Sequence, residues 1–402
     1  MRYGDEKDVK VLATADLLAI LLCFWPAGPR QANPAEELPT ARPGTVRITV
    51  AAVGDLLMHL PIVNSVHDEP TDSYNFGAVF APVSVYLSAA DYTLANLETR
   101  FAGPAKGYRG YPRFNTPADL AYYLRAAGVD LVATANNHSL DMGWDGIVAT
   151  LDALDGCGLA HVGTYRNAEE KAIPLIVDVG GIRLGILNYT ANTNGLPVPP
   201  GKDFAVNVIS PGAIEAEARA ARASGADLVV ALLHFGNEYP RRPDADQRRL
   251  VEELVRHGVD VIVGAHSHVV QPIERITVPR DGKPYSAVVA YSLGNFLSNQ
   301  RDRYRDSGII LYLEIEKSEQ GTTVRSVRYL PVWVQKRQVG ERLSFRVLPV
   351  HPQISPATDV TPSAADQQRM DQVWREMRAQ LNNPAADIRP VDAKVFSAQT
   401  PP

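Results

Sequence analysis

Cysteine is nearly absent from this sequence of 402 residues, which contains only Cys23 and Cys157. Two cysteines cannot form the several bridges of a disulfide-based scaffold, and they cannot supply the ligands of a cysteine zinc site. Cys157 lies in a segment of helical character, where we expect it to serve as a small buried apolar residue. A hydrophobic core must therefore stabilise the fold, and a content of 45% hydrophobic residues is sufficient to build one.

An excess of positive charge is also missing. The chain has 40 Lys and Arg against 45 Asp and Glu, which gives a formal net charge of -5. Charged stretches such as residues 301–306 alternate in sign and indicate a solvated loop. Binding to nucleic acid requires a clustered basic surface that neutralises phosphates, so the sequence predicts no nucleic-acid partner.

Long apolar runs are confined to the N-terminal segment, where residues 11–25 read VLATADLLAILLCFW. This run has the length of the apolar part of a signal peptide and is short for a transmembrane helix. Asp16 interrupts it, and the preceding residues 1–10 carry no excess of positive charge. We expect export to, or anchoring in, the cell envelope, and the sequence leaves a cytoplasmic location open.

From Arg47 onward, apolar segments of strand length alternate with amphipathic helical segments. This alternation is typical of a mostly parallel sheet covered on both faces, so we expect an α/β fold. The predicted strands are 46–53, 92–97, 129–135, 182–188, 227–233, 259–263 and 287–292, and the predicted helices are 117–127, 144–155, 211–224 and 244–257. After Tyr285 the pattern changes to antiparallel strands, at 309–315 and 322–334.

We predict three parts along the chain. Residues 1–44 form a signal-like apolar segment and a flexible linker, because residues 29–43 are rich in Pro, Ala and Glu. Residues 45–349 form the main domain. Residues 350–402 form a C-terminal tail with one short helix at 364–380.

Side chains typical of metal sites follow several of the predicted strands, at the point where each strand ends. Ligands of α/β proteins bind beyond the carboxyl ends of the strands, so we expect these side chains to converge. Imidazole, carboxylate and amide groups bind divalent metals, and a two-metal site needs about six protein ligands. The candidate ligands are Asp55, Glu98, Asn137, His234, His266 and His268.

The candidate ligands lie in short motifs, which are Gly54-Asp55, Asn96-Leu97-Glu98, Asn136-Asn137-His138, His234-Phe235-Gly236-Asn237-Glu238, Ala265-His266-Ser267-His268 and, further along, Leu293-Gly294-Asn295-Phe296. These motifs occur in the order of the CapA family, which the sequence resembles from about residue 45 to about residue 340. That family is named for poly-γ-glutamate capsule synthesis and is similar to calcineurin-like metallophosphatases. The resemblance implies a four-layer αββα sandwich of the metallo-dependent phosphatase type with a two-metal centre.

Carried over residue by residue, the resemblance implies that Asp55 and Glu98 are the carboxylate ligands, with Glu98 between the two ions. It further implies that Asn137 is the amide ligand and that the ions are two divalent metals, with Mn, Zn or Fe as candidates. The sequence departs from the phosphatase pattern because Glu98 replaces an Asp and because His59 follows Asp55 by four positions. Phe235 stands where the CapA family usually has Trp.

Further candidates surround the predicted ligands. The resemblance implies that His138 protonates a leaving oxygen, and Asp141 either orients His138 or forms a turn. His59, Glu238 and Asn295 are candidate substrate contacts, although His59 also fits a solvated loop.

The expected function is action on poly-γ-glutamate or another envelope polymer, as a two-metal hydrolase or transferase with His138 as the general acid. The expected partners are an anionic polymer or peptide substrate and membrane proteins of capsule synthesis. Two alternatives stay open, a metal-assisted peptide epimerase and a non-catalytic component that binds the polymer during export.

Overall fold

The computed structural model describes residues 44–354 and 361–393 of the chain, and it confirms the prediction of an α/β fold. The first of its two large sheets is mixed. From one edge to the other, its strands are β16 (Arg342–Pro349), β15 (Gly321–Val339), β14 (Ser307–Ser318), β1 (Val46–Leu56), β4 (Tyr92–Leu97), β5 (Leu131–Ala133) and β6 (Ala160–Val162). Two short strands join it, β13 (Asn295–Leu297) beside β1 and β17 (Ile388–Pro390) beside β15.

The second large sheet is also mixed. Its strands follow the order β11 (Ile273–Arg280), β12 (Lys283–Ala290), β10 (Val261–Ala265), β9 (Leu228–His234), β8 (Ile182–Thr190) and β7 (Ile176–Val179). A small hairpin of β2 (His67–Asp68) and β3 (Ser73–Tyr74) lies apart from both sheets.

Most of the described helices cover the outer faces of the two sheets. In the described part of the chain they are α1 (Leu60–Ser65), α2 (Gly77–Ser88), α3 (Asp119–Ala127), α4 (Gly143–Gly156), α5 (Ala168–Lys171), α6 (Pro211–Ala223), α7 (Ala245–Arg256) and α8 (Ala364–Leu381). Helices α1 to α4 share one apolar cluster with the first sheet, whereas α6 and α7 share another with the second sheet.

Alternation along the strands produces this layering. On β9, Val230 faces a core shared by the two sheets, whereas its neighbour Val229 faces α6 and α7. On β1, Ala52 faces the same shared core, and Val53 faces the helices on the other side. Successive side chains of a strand point to opposite faces, so each sheet contributes to two cores. The predicted four-layer αββα sandwich is thereby confirmed.

The parallel strands of both sheets determine where polar loops meet. Strands β1, β4, β5 and β6 are parallel in the first sheet, and β8, β9, β10 and β12 are parallel in the second. Antiparallel strands extend each sheet outward from this parallel part. The carboxyl ends of the parallel strands therefore form one edge of the sandwich, as the sequence predicts.

Several elements differ from the sequence prediction. Strands β11 and β16 and helix α2 are present although the sequence pattern did not predict them. The predicted tail helix is observed as α8, which packs with β17 against the core between the sheets, while the division of the chain at residue 349 stays a prediction. Residues 11–25 lie outside the described residues. None of the described helices has the length and apolar character needed to cross a membrane.

Candidate metal centre

The predicted metal ligands converge at the edge where the parallel strands end. Asp55 lies near the end of β1, Glu98 follows β4, and His234 ends β9. Ligand atoms of Glu98, His234 and His266 lie within 4.8 Å of one another, and so do those of Asp55, Glu98 and His268. Glu98 belongs to both groups.

Glu98 shows whether this arrangement suits a cation. Its side chain is 0% exposed, and neither carboxylate oxygen has a hydrogen-bond partner among the described residues. Burial, followed by the nearby charge of Asp55, raises the pKa of Glu98 well above its usual range. A buried carboxylate without hydrogen bonds is unfavourable, and a divalent cation between the two groups would offset that cost. The residues present therefore fit a metal centre.

The first group, which consists of Glu98, His234 and His266, lies beside the Asn137 amide. His234 Nε2 lies 3.0 Å from Asn137 Oδ1 and 3.5 Å from Glu98 Oε1. The ring of His266 lies 4.7 Å from that of His234, and His266 Nδ1 has no hydrogen-bond partner in the described structure. Burial lowers the pKa of both histidines, so both rings are neutral at pH 7 and keep the lone pair that binds a metal.

The second group combines Asp55 and His268. His268 Nδ1 lies 3.0 Å from Asp55 Oδ2, and the Asn96 amide donates to Asp55 Oδ1 over 2.8 Å. The same Asn96 nitrogen lies 3.3 Å from His234 Nδ1. Asn96 thus orients one side chain from each group. It belongs to one of the sequence motifs, but the sequence alone did not predict this role.

The backbone directs His266 and His268 to different groups. Both residues have a left-handed conformation, with φ of 94° at His266 and 57° at His268. Such a conformation costs about 1–3 kcal/mol for a residue other than glycine, and it persists where the surroundings require it. Here the two turns place His266 beside Glu98 and His234, and His268 beside Asp55.

His138 and Asp141 form a pair next to these groups. His138 Nδ1 lies 2.8 Å from Asp141 Oδ2, which also accepts the Phe114 backbone N–H over 2.7 Å. The Phe114 ring packs edge-on against His138 at 4.7 Å between ring centroids. The imidazole is therefore oriented through Nδ1.

The three candidate substrate contacts differ in exposure. His59 lies before α1, its ring 5.6 Å from Phe114, and burial lowers its pKa to about 4. Glu238 is exposed after β9. Asn295 is fully buried beside Asp55, and its amide donates to Gln300 Oε1 and to the Arg305 carbonyl. Their roles toward a substrate stay predictions.

Arg100 is a further functional candidate that the sequence did not reveal. It is fully buried, and it donates to the carbonyl oxygens of His138 and Thr134 and to Asn136 Oδ1. Burial lowers its pKa to about 10, so the guanidinium remains charged at pH 7. Arg100 supports the loop that carries Asn137 and His138. A single arginine after a strand gives no sequence signal of such burial.

Asn188 connects the two halves of the centre. Its Oδ1 accepts the Ala135 N–H over 2.7 Å, and its Nδ2 donates to the Leu232 carbonyl over 3.0 Å. Ala135 precedes the ligand loop of the first sheet, and Leu232 lies in β9 of the second. This side chain therefore limits relative movement of the ligands contributed by the two sheets.

Comparisons with known proteins identify a matching family and similar sequences. The family model described as bacterial capsule synthesis protein PGA_cap matches residues 49–300, a range that contains all the candidate ligands. Capsule biosynthesis protein CapA of Bacillus anthracis is 29% identical over 304 residues, covering 72% of this chain and 68% of that protein. PGA biosynthesis protein CapA of Bacillus subtilis (strain 168) is 28% identical over 319 residues, covering 75% and 77%.

Among solved structures, the NAD nucleotidase of Haemophilus influenzae aligns with 88% of this chain and 66% of its own. The sequence identity is 15% and the TM-score is 0.47. The fold assignment accordingly rests on the sheets and helices of this chain.

Proposed function

This chain belongs to the bacterial capsule synthesis protein family, and on that premise we propose that it is a metal-dependent hydrolase or transferase acting on an anionic envelope polymer. Similar proteins are named for capsule and PGA biosynthesis, which supports poly-γ-glutamate as the polymer. The proposed location is the cell envelope.

Buried Glu98, shared by two groups of ligand atoms, is the observation that carries the proposal. The proposed ligands of two divalent ions are Asp55, Glu98, Asn137, His234, His266 and His268. Their mixed nitrogen and oxygen donors suit Mn, Zn or Fe. The chemistry that such ions supply when bound is Lewis acidity, which activates water and offsets negative charge on a reacting substrate.

His138 is the proposed general acid. Because Asp141 accepts the Nδ1 proton, the protonated ring donates from Nε2 to the departing oxygen of the substrate. The Asp141 carboxylate offsets the positive charge of the ring, and Phe114 restricts its rotation. A protein that only holds the polymer has no need of an oriented proton donor, so this pair favours catalysis over binding alone.

The test compares two kinds of variant. His138→Ala should retain the metal content of the native protein and lower turnover by about 10²–10⁴-fold, the usual effect of losing a general acid. The double variant H266A/H268A should lose most of the metal. Metal content is measured by elemental mass spectrometry, and turnover is measured on γ-linked glutamate oligomers and on phosphate esters.

His161→Ala provides a matched control, because His161 contacts Asp155 away from the candidate ligands. It should change neither metal content nor turnover. Native turnover in His138→Ala would contradict the catalytic role and favour a polymer-binding component. Native metal content in H266A/H268A would refute the metal centre itself.

A further inference from the structure

A basic cleft opens beside the proposed general acid. It has a volume of about 480 Å³ and is lined by Lys106, Arg109 and Arg113, by the segment around Asp141, and by Leu196 and Pro197. Asp141 also receives the hydrogen bond from His138. One residue therefore belongs both to the cleft wall and to the proposed acid pair.

The positive charges of this cleft are poorly compensated. Arg113 is exposed and has neither an ion pair nor a side-chain hydrogen bond to any residue in the described ranges. Among the described residues, the Arg109 guanidinium donates only to the backbone carbonyls of Gly107 and Lys106.

Lys106 lies 3.4 Å from an Asp145 carboxylate whose side chain is 80% exposed, a weak pair in water. The carboxylate in the lining is Asp141, which is buried and whose Oδ2 already accepts from His138 and from the Phe114 backbone N–H. A local excess of positive charge in a chain of net charge -5 indicates an anionic ligand.

The loop that bears these cations is ordered by its own contacts. Arg109 and Asn115 exchange backbone hydrogen bonds of 2.9 and 3.0 Å. The buried Asn115 amide donates to the carbonyls of Gly103 and Gly107. The Phe114 N–H then ties the loop to Asp141. The cations are thus placed relative to the acid before any ligand binds, which lowers the entropic cost of binding.

We propose that the basic cleft binds successive carboxylates of a linear polycarboxylate chain and guides that chain to His138. Spaced cations suit spaced carboxylates, and the apolar Leu196 and Pro197 suit the methylene groups between them. The inference rests on the proposed function, because it concerns the substrate of the same centre.

The test uses the full chain with its metals and a decamer of γ-linked glutamate as the probe. Affinity is measured by calorimetry at low and moderate salt for the native protein and for R109Q/R113Q. The variant should bind the decamer about tenfold more weakly, since each partly exposed pair contributes modestly, and its affinity should depend less on salt. The same decamer with amidated α-carboxyls should bind both proteins equally weakly.

The matched control is R219Q/R256Q, which removes the same charge from helices α6 and α7. It should bind the decamer like the native protein. Metal content and melting temperature show whether each variant is folded. Should the double variant not fold, Arg113→Gln alone decides, and about threefold weaker binding is expected. Within the described structure, Arg113 has no ion pair or side-chain hydrogen bond to lose.

Unchanged affinity in folded R109Q/R113Q, or in Arg113→Gln, overturns the inference. An equal loss of affinity in R219Q/R256Q overturns it as well, because the effect would then reflect net charge. The two proposals fail in different ways. If R109Q/R113Q binds the decamer more weakly but the native protein shows no turnover, the proposed catalysis alone is refuted. If the native protein shows turnover but R109Q/R113Q binds the decamer with native affinity, the cleft alone is refuted.

Discussion

Replacement of Glu98 by Gln should have opposite effects on the metal-free and the metal-loaded protein. In the metal-free chain, Glu98 is fully buried without a hydrogen-bond partner among the described residues, and Asp55 lies nearby. Folding must either bury that charge or take up a proton, and an unsatisfied buried polar group costs about 1–3 kcal/mol. The amide needs no proton uptake, buries no charge and can donate to Asp55, so metal-free Glu98→Gln should be more stable than the metal-free native protein.

The size of the effect follows from the unfolding entropy. A domain of this size has an unfolding entropy of roughly 0.7 kcal/mol/K, so the gain corresponds to an increase in melting temperature of about 1–4 °C. Metal at 100 times its dissociation constant stabilises the native protein by about 2.7 kcal/mol at each of two sites, or about 8 °C together. Glu98→Gln lacks the shared carboxylate and should gain less than half of that.

The assay is thermal unfolding followed by calorimetry, with chelator and then with added Mn²⁺ or Zn²⁺. Glu376→Gln is the matched control, because Glu376 is also buried but pairs with Arg303 and Arg369. It should be destabilised with and without metal. The reasoning is refuted if metal-free Glu98→Gln melts below the metal-free native protein, or if metal raises both melting temperatures equally.

Two further predictions concern pH and packing. Burial lowers the pKa of His59 to about 4, from a value of about 6.5 in the unfolded chain. The native state therefore binds fewer protons than the unfolded state between these two values, and the protein loses stability as the pH falls from about 6.5 to about 4. His59→Gln should lose less stability than the native protein between melts at pH 7 and pH 4.5, and an identical loss would contradict the lowered pKa of His59. A Cβ at Gly264 would lie 2.0 Å from the Tyr291 carbonyl oxygen, so Gly264→Ala should lower the free energy of unfolding by about 1–3 kcal/mol in urea titrations. Gly212→Ala on α6, where an added Cβ would meet no atom within 4 Å, should change it little, and equal effects would refute the packing argument.

Local sequence patterns predicted the elements that have strong local signals. The strand predicted at 92–97 is observed as Tyr92–Leu97, and the helix predicted at 244–257 is observed as Ala245–Arg256 after an Asp244 cap. In both, apolar periodicity and capping are determined by residues a few positions apart. Helix α2 was missed because its segment GAVFAPVSVYLS contains Pro82 and lacks a clear polar face.

The positions of the candidate ligands could also be derived from the sequence. Each follows an apolar strand, and the ends of parallel strands share one edge of a sheet. The positions of Asp55, Glu98 and His234 after predicted strands were therefore sufficient to predict that these side chains lie close together. The resemblance to the CapA family added the two-sheet sandwich, which the alternation of strands and helices alone did not specify.

Only the tertiary structure decided which side chains contact each other within the centre. Asn96 lies beside His234 although 138 positions separate them, and His138 lies beside Asp141 only because the loop between them turns. The burial of Arg100 and the uncompensated charge of Arg113 likewise depend on what packs around them. The periodicity of a sequence indicates which face of a strand or helix is apolar. Hydrogen-bond partners, burial and local charge depend instead on segments that are distant in the chain. Those segments come together only when the two sheets pack against each other.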